Sequence, residues 1–271
     1  MDVIRKGLKA LPTTITETNA SDVAAGIMTT DTVAKIAEAQ VGATGARIVG
    51  VAKGVGMIEP NMATLITLLF TDAAIDTTDL DAVFRRVVDR TFNCVSVDTD
   101  TSTSDTAIVL ASGAAGHVAL EDFEAALHEV MESLTKQVAR DGEGAEKLIE
   151  VRVDHARDYE QAKTVAKAIV NSPLVKTAVH GADPNWGRVA MAVGKCSQYT
   201  DIDEQKVTIR FGDQEVFPKQ VDGAGLDRLA EYMRGEDVLI HVTLHTGREA
   251  ATVWGCDLTA GYVRINADYT T

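Results

Sequence analysis

Apolar residues along this chain recur with two different periods, and the period separates the predicted helices from the predicted strands. Leu80, Val83, Phe84, Val87 and Val88 follow three- and four-residue steps, which predicts a helix over about 79–91 with Thr78 and Asp81 as a capping pair. Phe123, Leu127, Val130, Met131, Leu134 and Val138 mark the longest helix; Arg140 complements its C-terminal dipole and Gly142 supplies the stop. Ala162, Val165, Ala166, Ile169 and Val170 predict a third helix that ends before Pro173, with Ser172 as the boundary, because the residue preceding proline is pushed out of the α region. Asp183 and Pro184 read as the N-cap and first position of a short helix that buries Trp186, Val189, Ala190 and Val193.

Runs rich in β-branched residues predict strands at 47–52, 65–71, 92–97, 106–111, 149–153, 207–211, 238–244 and 252–256. Some strands follow one another and others alternate with helices. That order favours an α+β protein, with layered mixed sheets flanked by helices, over a regular doubly wound parallel sheet. No internal repeat or low-complexity linker interrupts it.

Length and composition add limits. At 271 residues with 45% apolar content the chain can bury a sizeable core without disulfides or metals. Forty acidic against 26 basic residues give a net charge of −14, and the basic residues are scattered, so nucleic acid and anionic membranes are disfavoured as partners. An anionic small substrate would need a local cation. Cys94, Cys196 and Cys256 are far apart and lack a CxxC spacing, which fits a reducing cytosol. Arg5, Lys6 and Lys9 near the start precede no apolar signal region, and the longest apolar stretch, Met62 to Phe70, is too short to span a bilayer.

Three segments carry candidate chemistry. The loop Ser96 to Thr106 follows a predicted strand, and its Asp98 and Asp100 suit either an aspartyl-phosphate hydrolase or a turn tied by side-chain to backbone hydrogen bonds. It lacks the glycine and terminal glutamate of an EF-hand. His241 and His245 share a face of a predicted strand and could touch one metal, but no third ligand lies nearby in the sequence. His117, His128, His155 and His180 are no more specific. The run Lys53 to Leu65 combines Gly54, Gly56 and Pro60 with Ala63-Thr64, and lacks the GK(S/T) ending of a phosphate-binding loop.

Taken in order, these segments resemble the ornithine acetyltransferase family, the bifunctional glutamate N-acetyltransferases of arginine biosynthesis. The resemblance is carried by Ile27-Met28-Thr29-Thr30-Asp31-Thr32, the Lys53 to Leu65 run, Phe92-Asn93 with Val97 to Thr103, and Asp141-Gly142-Glu143-Gly144-Ala145. It continues through Asn171-Ser172-Pro173-Leu174-Val175-Lys176-Thr177-Ala178, Asp183 to Arg188, and the tail from Tyr262-Val263-Arg264-Ile265-Asn266 to Thr271.

The resemblance implies a self-cleaving fold of the N-terminal-nucleophile-like, DmpA/ornithine acetyltransferase type. It implies a cut between Ala63 and Thr64 that separates residues 1–63 from 64–271, the two pieces staying together in a heterotetramer. Thr64 would be the nucleophile and its freed α-amine, with a reference pKa of about 7.7–8.0, the base. Acetyl would pass from N-acetylornithine to Thr64 and then to glutamate, with acetyl-CoA a possible donor and neither metal nor other cofactor required. The implied substrate contacts are Thr29, Lys53, Thr64, Glu143, Asn266 and Thr271, and Lys53 supplies the cation that so acidic a chain needs. Full-length members carry an earlier segment whose Thr-Gly pair forms the oxyanion hole, and Met1 aligns after it; a lost donor of that kind costs about 10²–10³ in rate. Strands from that segment would be absent too, leaving an exposed sheet edge or requiring a partner chain to cover it. The readings set against transfer are an inactive fragment or assembly partner of the same fold, and the Asp98/Asp100 hydrolase.

Overall fold

In a computed structural model the described residues are 1–10, 19–59, 65–101 and 105–268. In chain order the elements begin α1 (Asp2–Lys9), α2 (Ala20–Ile27), β1 (Lys35–Gln40), β2 (Arg47–Lys53), β3 (Ile66–Ala74), α3 (Thr77–Arg90), β4 (Val95–Ser96), β5 (Thr106–His117) and α4 (Leu120–Arg140). They continue with β6 (Leu148–Ala156), α5 (Tyr159–Val170), α6 (Pro173–His180), α7 (Trp186–Gly194), β7 (Thr208–Phe211), β8 (Gln214–Phe217), α8 (Gly223–Met233), β9 (Asp237–Thr243), β10 (Glu249–Cys256) and α9 (Ala260–Asp268).

The strands form two mixed sheets, ordered β1-β2-β3-β5 and β4-β10-β6-β9-β7-β8, as the α+β reading expected. In the first, β1/β2 and β2/β3 run antiparallel and β3/β5 parallel. In the second, parallel pairs β4/β10 and β6/β9 alternate with antiparallel ones. Helix α4 packs against strands of both sheets, which explains its two-turn apolar repeat: Phe123, Leu127, Met131, Leu134 and Val138 are wholly buried. Gly50 on β2 makes the close approach possible, since a Cβ there would sit 2.8 Å from Leu134 and 2.9 Å from Val130. Helix α5 covers β6 and β10 of the second sheet.

On the first sheet, Phe70 pairs in register with Leu110 and Leu68 with Ile108; Phe70, Leu110 and Ile108 are exposed, a strip of open apolar sheet surface. Among the described residues no helix is long and apolar enough to cross a membrane.

Several local expectations change. The predicted strand at 92–97 is a 3₁₀ turn, Phe92–Cys94, followed by the two-residue β4: the Cys94 N–H turns back to the Thr91 carbonyl at 2.8 Å instead of entering a strand ladder. Asp76, not the Thr78/Asp81 pair, caps α3 by accepting the Thr78 N–H at 2.9 Å. Asn185 rather than Asp183 caps α7. Pro173 stops α5 and also starts α6, with the Ser172 hydroxyl accepting the Val175 N–H.

Candidate active site

Two side-chain pairs flank one loop. Lys53, the last residue of β2, donates from Nζ to Thr29 Oγ1 at 2.9 Å, where the chain leaves α2. Across the loop, Asn266 on α9 donates from Nδ2 to Glu143 Oε2 at 2.9 Å, and the Glu143 N–H is held by the Val55 carbonyl at 2.8 Å. The Glu143 carboxyl lies against Gly56, where a Cβ would come within 2.5 Å of it. A side chain at position 56 would therefore displace the Glu143 carboxyl from this place. Thr29, Lys53, Glu143 and Asn266 are therefore gathered around residues 53–56, although they span more than two hundred positions of sequence.

The tail reaches this place by packing. Gly144 has φ +67 and a Cβ there would strike Tyr262 N at 2.4 Å, so only glycine lets α9 settle on the turn after Glu143. Thr259 Oγ1 donates to the Gly144 carbonyl at 2.6 Å and accepts the Gly261 N–H at 2.9 Å, tying the helix start to that turn.

Beneath both pairs lies a buried charge network. Lys35 Nζ, wholly buried, donates to Asp31 Oδ1 at 2.8 Å and to Asp141 Oδ2 at 2.5 Å. Asp31 also accepts the Gly54 N–H at 2.7 Å and the Thr29 N–H at 3.2 Å; Asp141 accepts the Thr32 N–H at 3.1 Å and the Thr32 hydroxyl. Burial by itself would raise the Asp31 carboxyl, but the Lys35 ammonium and the two backbone N–H groups together hold it below the ordinary value. The network thus joins the segment of Thr29, the segment of Lys53 and the helix end that leads into Glu143. The sequence motifs contain Asp31 and Asp141, but Lys35 gave no signal, since a lysine at a strand end normally faces water.

The loop's far side is held by carboxylates. Asp98 accepts the N–H of Met57 at 2.7 Å and of Ile58 at 2.9 Å, so both oxygens serve the turn and the hydrolase role proposed for Asp98 and Asp100 finds no open nucleophile. Glu59 accepts from Ser96 Oγ at 2.9 Å and Asn171 Nδ2 at 2.6 Å, and pairs with Lys167 at 3.3 Å. Asp105 accepts the Leu65 N–H, and burial pushes its carboxyl up to about 6 against that hydrogen bond.

A raised carboxyl has a stability cost of definite sign. Below about pH 4 Asp105 is protonated in both states; between there and pH 6 the unfolded chain ionises first, so folding loses ground as pH rises. Asp105→Asn should accordingly raise Tm at pH 7, by the equivalent of about 1 kcal/mol after allowing for partial exposure, and leave it unchanged at pH 4. Thermal melts at the two pH values measure this directly.

Ala63, Thr64 and Thr271 lie outside the described residues, as does the boundary between 1–63 and 64–271. The histidine pair does not converge. His245 falls beyond β9 with φ +58 and sits against the His155 ring at 5.8 Å, whereas His241 Nε2 meets Asp154 Oδ2 at 2.8 Å. Glu146, His180 and Asp257 do place ligand atoms within 4.8 Å of one another. There, however, His180 Nδ1 is hydrogen-bonded to Asp257 at 2.9 Å, and the other Asp257 oxygen accepts the Glu146 and Lys147 N–H groups.

The same arrangement of segments has relatives. The ArgJ family model matches residues 1–271. The chain is 57% identical over its whole length to "Arginine biosynthesis bifunctional protein ArgJ 2" of Nostoc sp., and 56% identical to "Glutamate N-acetyltransferase Oat2" of Streptomyces clavuligerus. In both cases it spans 70% of the relative. The crystal structure of the arginine biosynthesis bifunctional protein argJ from Bacillus halodurans superposes with a TM-score of 0.70 at 40% identity, over 74% of this chain and 98% of that one. The chain belongs to the ArgJ family.

Proposed function

We propose that this protein moves acetyl from N-acetylornithine to glutamate through an acetyl-threonine at Thr64, after cutting itself between Ala63 and Thr64. The observation that carries this reading is the convergence of Lys53–Thr29 and Glu143–Asn266 on the loop that runs into the Ala63-Thr64 pair. Both substrates are amino acids or their N-acetyl derivatives, so each brings an α-carboxylate. The Lys53 ammonium is a fixed cation for that group, with the Thr29 hydroxyl beside it. Glu143, aimed by Asn266 and by the Val55 carbonyl, suits a substrate ammonium.

In the cut, Thr64 Oγ attacks the Ala63 carbonyl, the acyl group passes from nitrogen to oxygen, and water hydrolyses the ester. In transfer, Oγ takes acetyl from N-acetylornithine, ornithine leaves, and the glutamate amine takes the acetyl in turn. The freed Thr64 amine serves as base in both halves of the transfer. Thr271 completes the proposed contacts; acetyl-CoA is a second donor, no metal is needed, and the assembled form is a cytoplasmic heterotetramer.

Two further observations support the division at Thr64. The part of the chain that matches the Bacillus halodurans structure is 74% of the whole and nearly all of that chain, and the piece beginning at Thr64 is of similar size. The pieces would also stay joined, because β2 of the first pairs with β3 of the second over six register positions, Ile48–Lys53 against Ile66–Thr71. Intact-mass spectrometry tests the reading: two masses, one piece ending at Ala63 and one starting at Thr64, the latter gaining one acetyl group on exposure to N-acetylornithine. A single uncut mass with acetyl transfer intact rules it out.

Lys53→Ala should raise KM for both amino-acid substrates by about 10- to 100-fold, the loss of one charge-assisted contact worth about 1.5–3 kcal/mol, with a smaller change in kcat. Initial-rate kinetics with each substrate varied in turn provides the measurement. Unchanged KM values would remove Lys53 from the site.

A further inference from the structure

Apart from the substrate pairs, one group of side chains brings metal-ligating atoms together. His180, the last residue of α6, faces Asp257, which follows β10, and Glu146, in the segment between α4 and β6. Its Nδ1 stands 2.9 Å from Asp257 Oδ2 and 3.7 Å from Glu146 Oε2, and the three ligand atoms lie within 4.8 Å of one another. A zinc-class ion holds nitrogen and oxygen ligands at about 2.0–2.2 Å, which sets neighbouring ligand atoms of a tetrahedron about 3.4 Å apart. The two distances at His180 Nδ1 fall on either side of that value. Glu146, whose side chain is largely exposed, can swing the remaining way.

The set is oriented in advance. The Asp257 side chain is wholly buried, and its Oδ1 accepts the Glu146 N–H at 2.8 Å and the Lys147 N–H at 2.9 Å, which aims Oδ2 at His180. Lys147 directs its own ammonium elsewhere, to the carbonyls of Val179, His180 and Met233. Among the described residues no lysine or arginine pairs with Glu146 or Asp257, so two carboxylates turn toward a single imidazole. His180 also closes α6 at the end where backbone carbonyls gather negative potential, which favours a cation. The Asp257–His180 hydrogen bond accounts for those two residues alone and leaves the second carboxylate at the same nitrogen unexplained. The exposed sides of His180 and Glu146 leave a fourth position to water.

We propose that Glu146, His180 and Asp257 bind one divalent transition-metal ion of the zinc class. The ion takes the place of the hydrogen between Nδ1 and Oδ2, and the imidazole carries its proton on Nε2. A nitrogen ligand beside two carboxylates selects zinc, cobalt or nickel over magnesium and calcium, which prefer all-oxygen sites. The site joins the segment that carries Glu143, the end of α6, and the stretch after β10 whose Thr259 anchors α9 and with it Asn266. Bound metal therefore braces the Glu143–Asn266 pair from a distance and takes no part in bond making at Thr64. All three ligands follow Thr64 in the sequence, so binding stands or falls separately from the proposed cut.

The test titrates chelator-stripped full-length protein with zinc and with magnesium, by calorimetry and by thermal melts. It compares wild type, Glu146→Gln, His180→Gln and a control, His128→Gln, whose imidazole lies 3.6 Å from Glu132 on α4. One zinc per chain should bind to wild type, Tm should rise with zinc concentration, and magnesium should do neither. Glu146→Gln and His180→Gln should each weaken zinc binding by at least about 10- to 100-fold, the loss already expected when a residue that merely supports a ligand is changed. His128→Gln should bind as wild type does. Glu146→Gln keeps the buried Asp257–His180 hydrogen bond, so a metal-free melt equal to wild type shows that its lost binding is not lost folding. Wild type that binds no zinc, binding that survives both Glu146→Gln and His180→Gln, binding lost in His128→Gln alone, or magnesium bound as tightly as zinc overturns the proposal.

Discussion

Replacing Thr64 by alanine is expected to keep the chain in one piece and to lower acetyl transfer by about 10⁴ or more, the scale seen when a covalent nucleophile is removed. One hydroxyl is assigned two tasks, so one change should remove both. Thr64→Ser separates chemistry from shape: it retains a hydroxyl on the same backbone and should cut and transfer, more slowly because the lost methyl loosens the rotamer. Intact mass reads the cut, and formation of N-acetylglutamate from N-acetylornithine reads the transfer. A Thr64→Ala protein that still forms N-acetylglutamate would place the acetyl intermediate elsewhere. The binding pairs Lys53–Thr29 and Glu143–Asn266 would then serve a direct transfer between two bound substrates.

The second large effect concerns Lys35. Lys35→Met should destabilise the fold by about 3–5 kcal/mol, because it leaves Asp31 and Asp141 buried together without the ammonium between them. Such a loss is a sizeable share of the total stability of a domain, typically about 5–15 kcal/mol. The sign of the accompanying acid dependence follows from Asp31, whose carboxyl is held below its ordinary value. In wild type its contribution is present above the unfolded carboxylate titration near about 3.9 and is lost as pH falls through the lower folded value. In Lys35→Met that contribution should vanish, so the loss relative to wild type is largest at neutral pH and shrinks in acid. Adding Asp141→Asn to Lys35→Met should recover part of the stability by removing one uncompensated charge. Urea unfolding at pH 7 and pH 4 measures each. Equal stability of wild type and Lys35→Met at pH 7 would show that the triad is not a buried ionic unit.

The same residue bears on function. Asp31 and Lys35 precede Ala63, whereas Asp141 follows Thr64, so the Lys35–Asp141 pair ties together the two proposed pieces as well as the segments of Thr29, Lys53 and Glu143. The two loops that hold substrate in the proposed reaction are thereby set at a constant separation by a contact away from the substrate.

Patterns of local sequence determined most of the elements and the candidate chemistry. Helix α4 was legible because its apolar repeat faces packed strands over five turns, and the β2, β3, β6, β9 and β10 strands because buried β-branched runs leave a strong signal. The motif order around Lys53, Asp98, Glu143 and Asn266 pointed to the family that the whole-chain match then showed. What the sequence alone could not decide was anything set by partners distant in the chain. Phe92–Cys94, β-branched-rich in its surroundings, is a turn in which the Cys94 N–H bonds the Thr91 carbonyl, and its buried ends pack against elements distant in the chain. Asp98 became a clamp for Met57 and Ile58 only once the fold laid those N–H groups against it. Lys35, an ordinary polar residue at a strand end, turned into the centre of a buried triad because Asp31 and Asp141 meet it there. Periodicity records which side of an element is buried; it carries no information about which charge, hydrogen-bond donor or open oxygen the other elements bring to that side. That choice belongs to the tertiary structure.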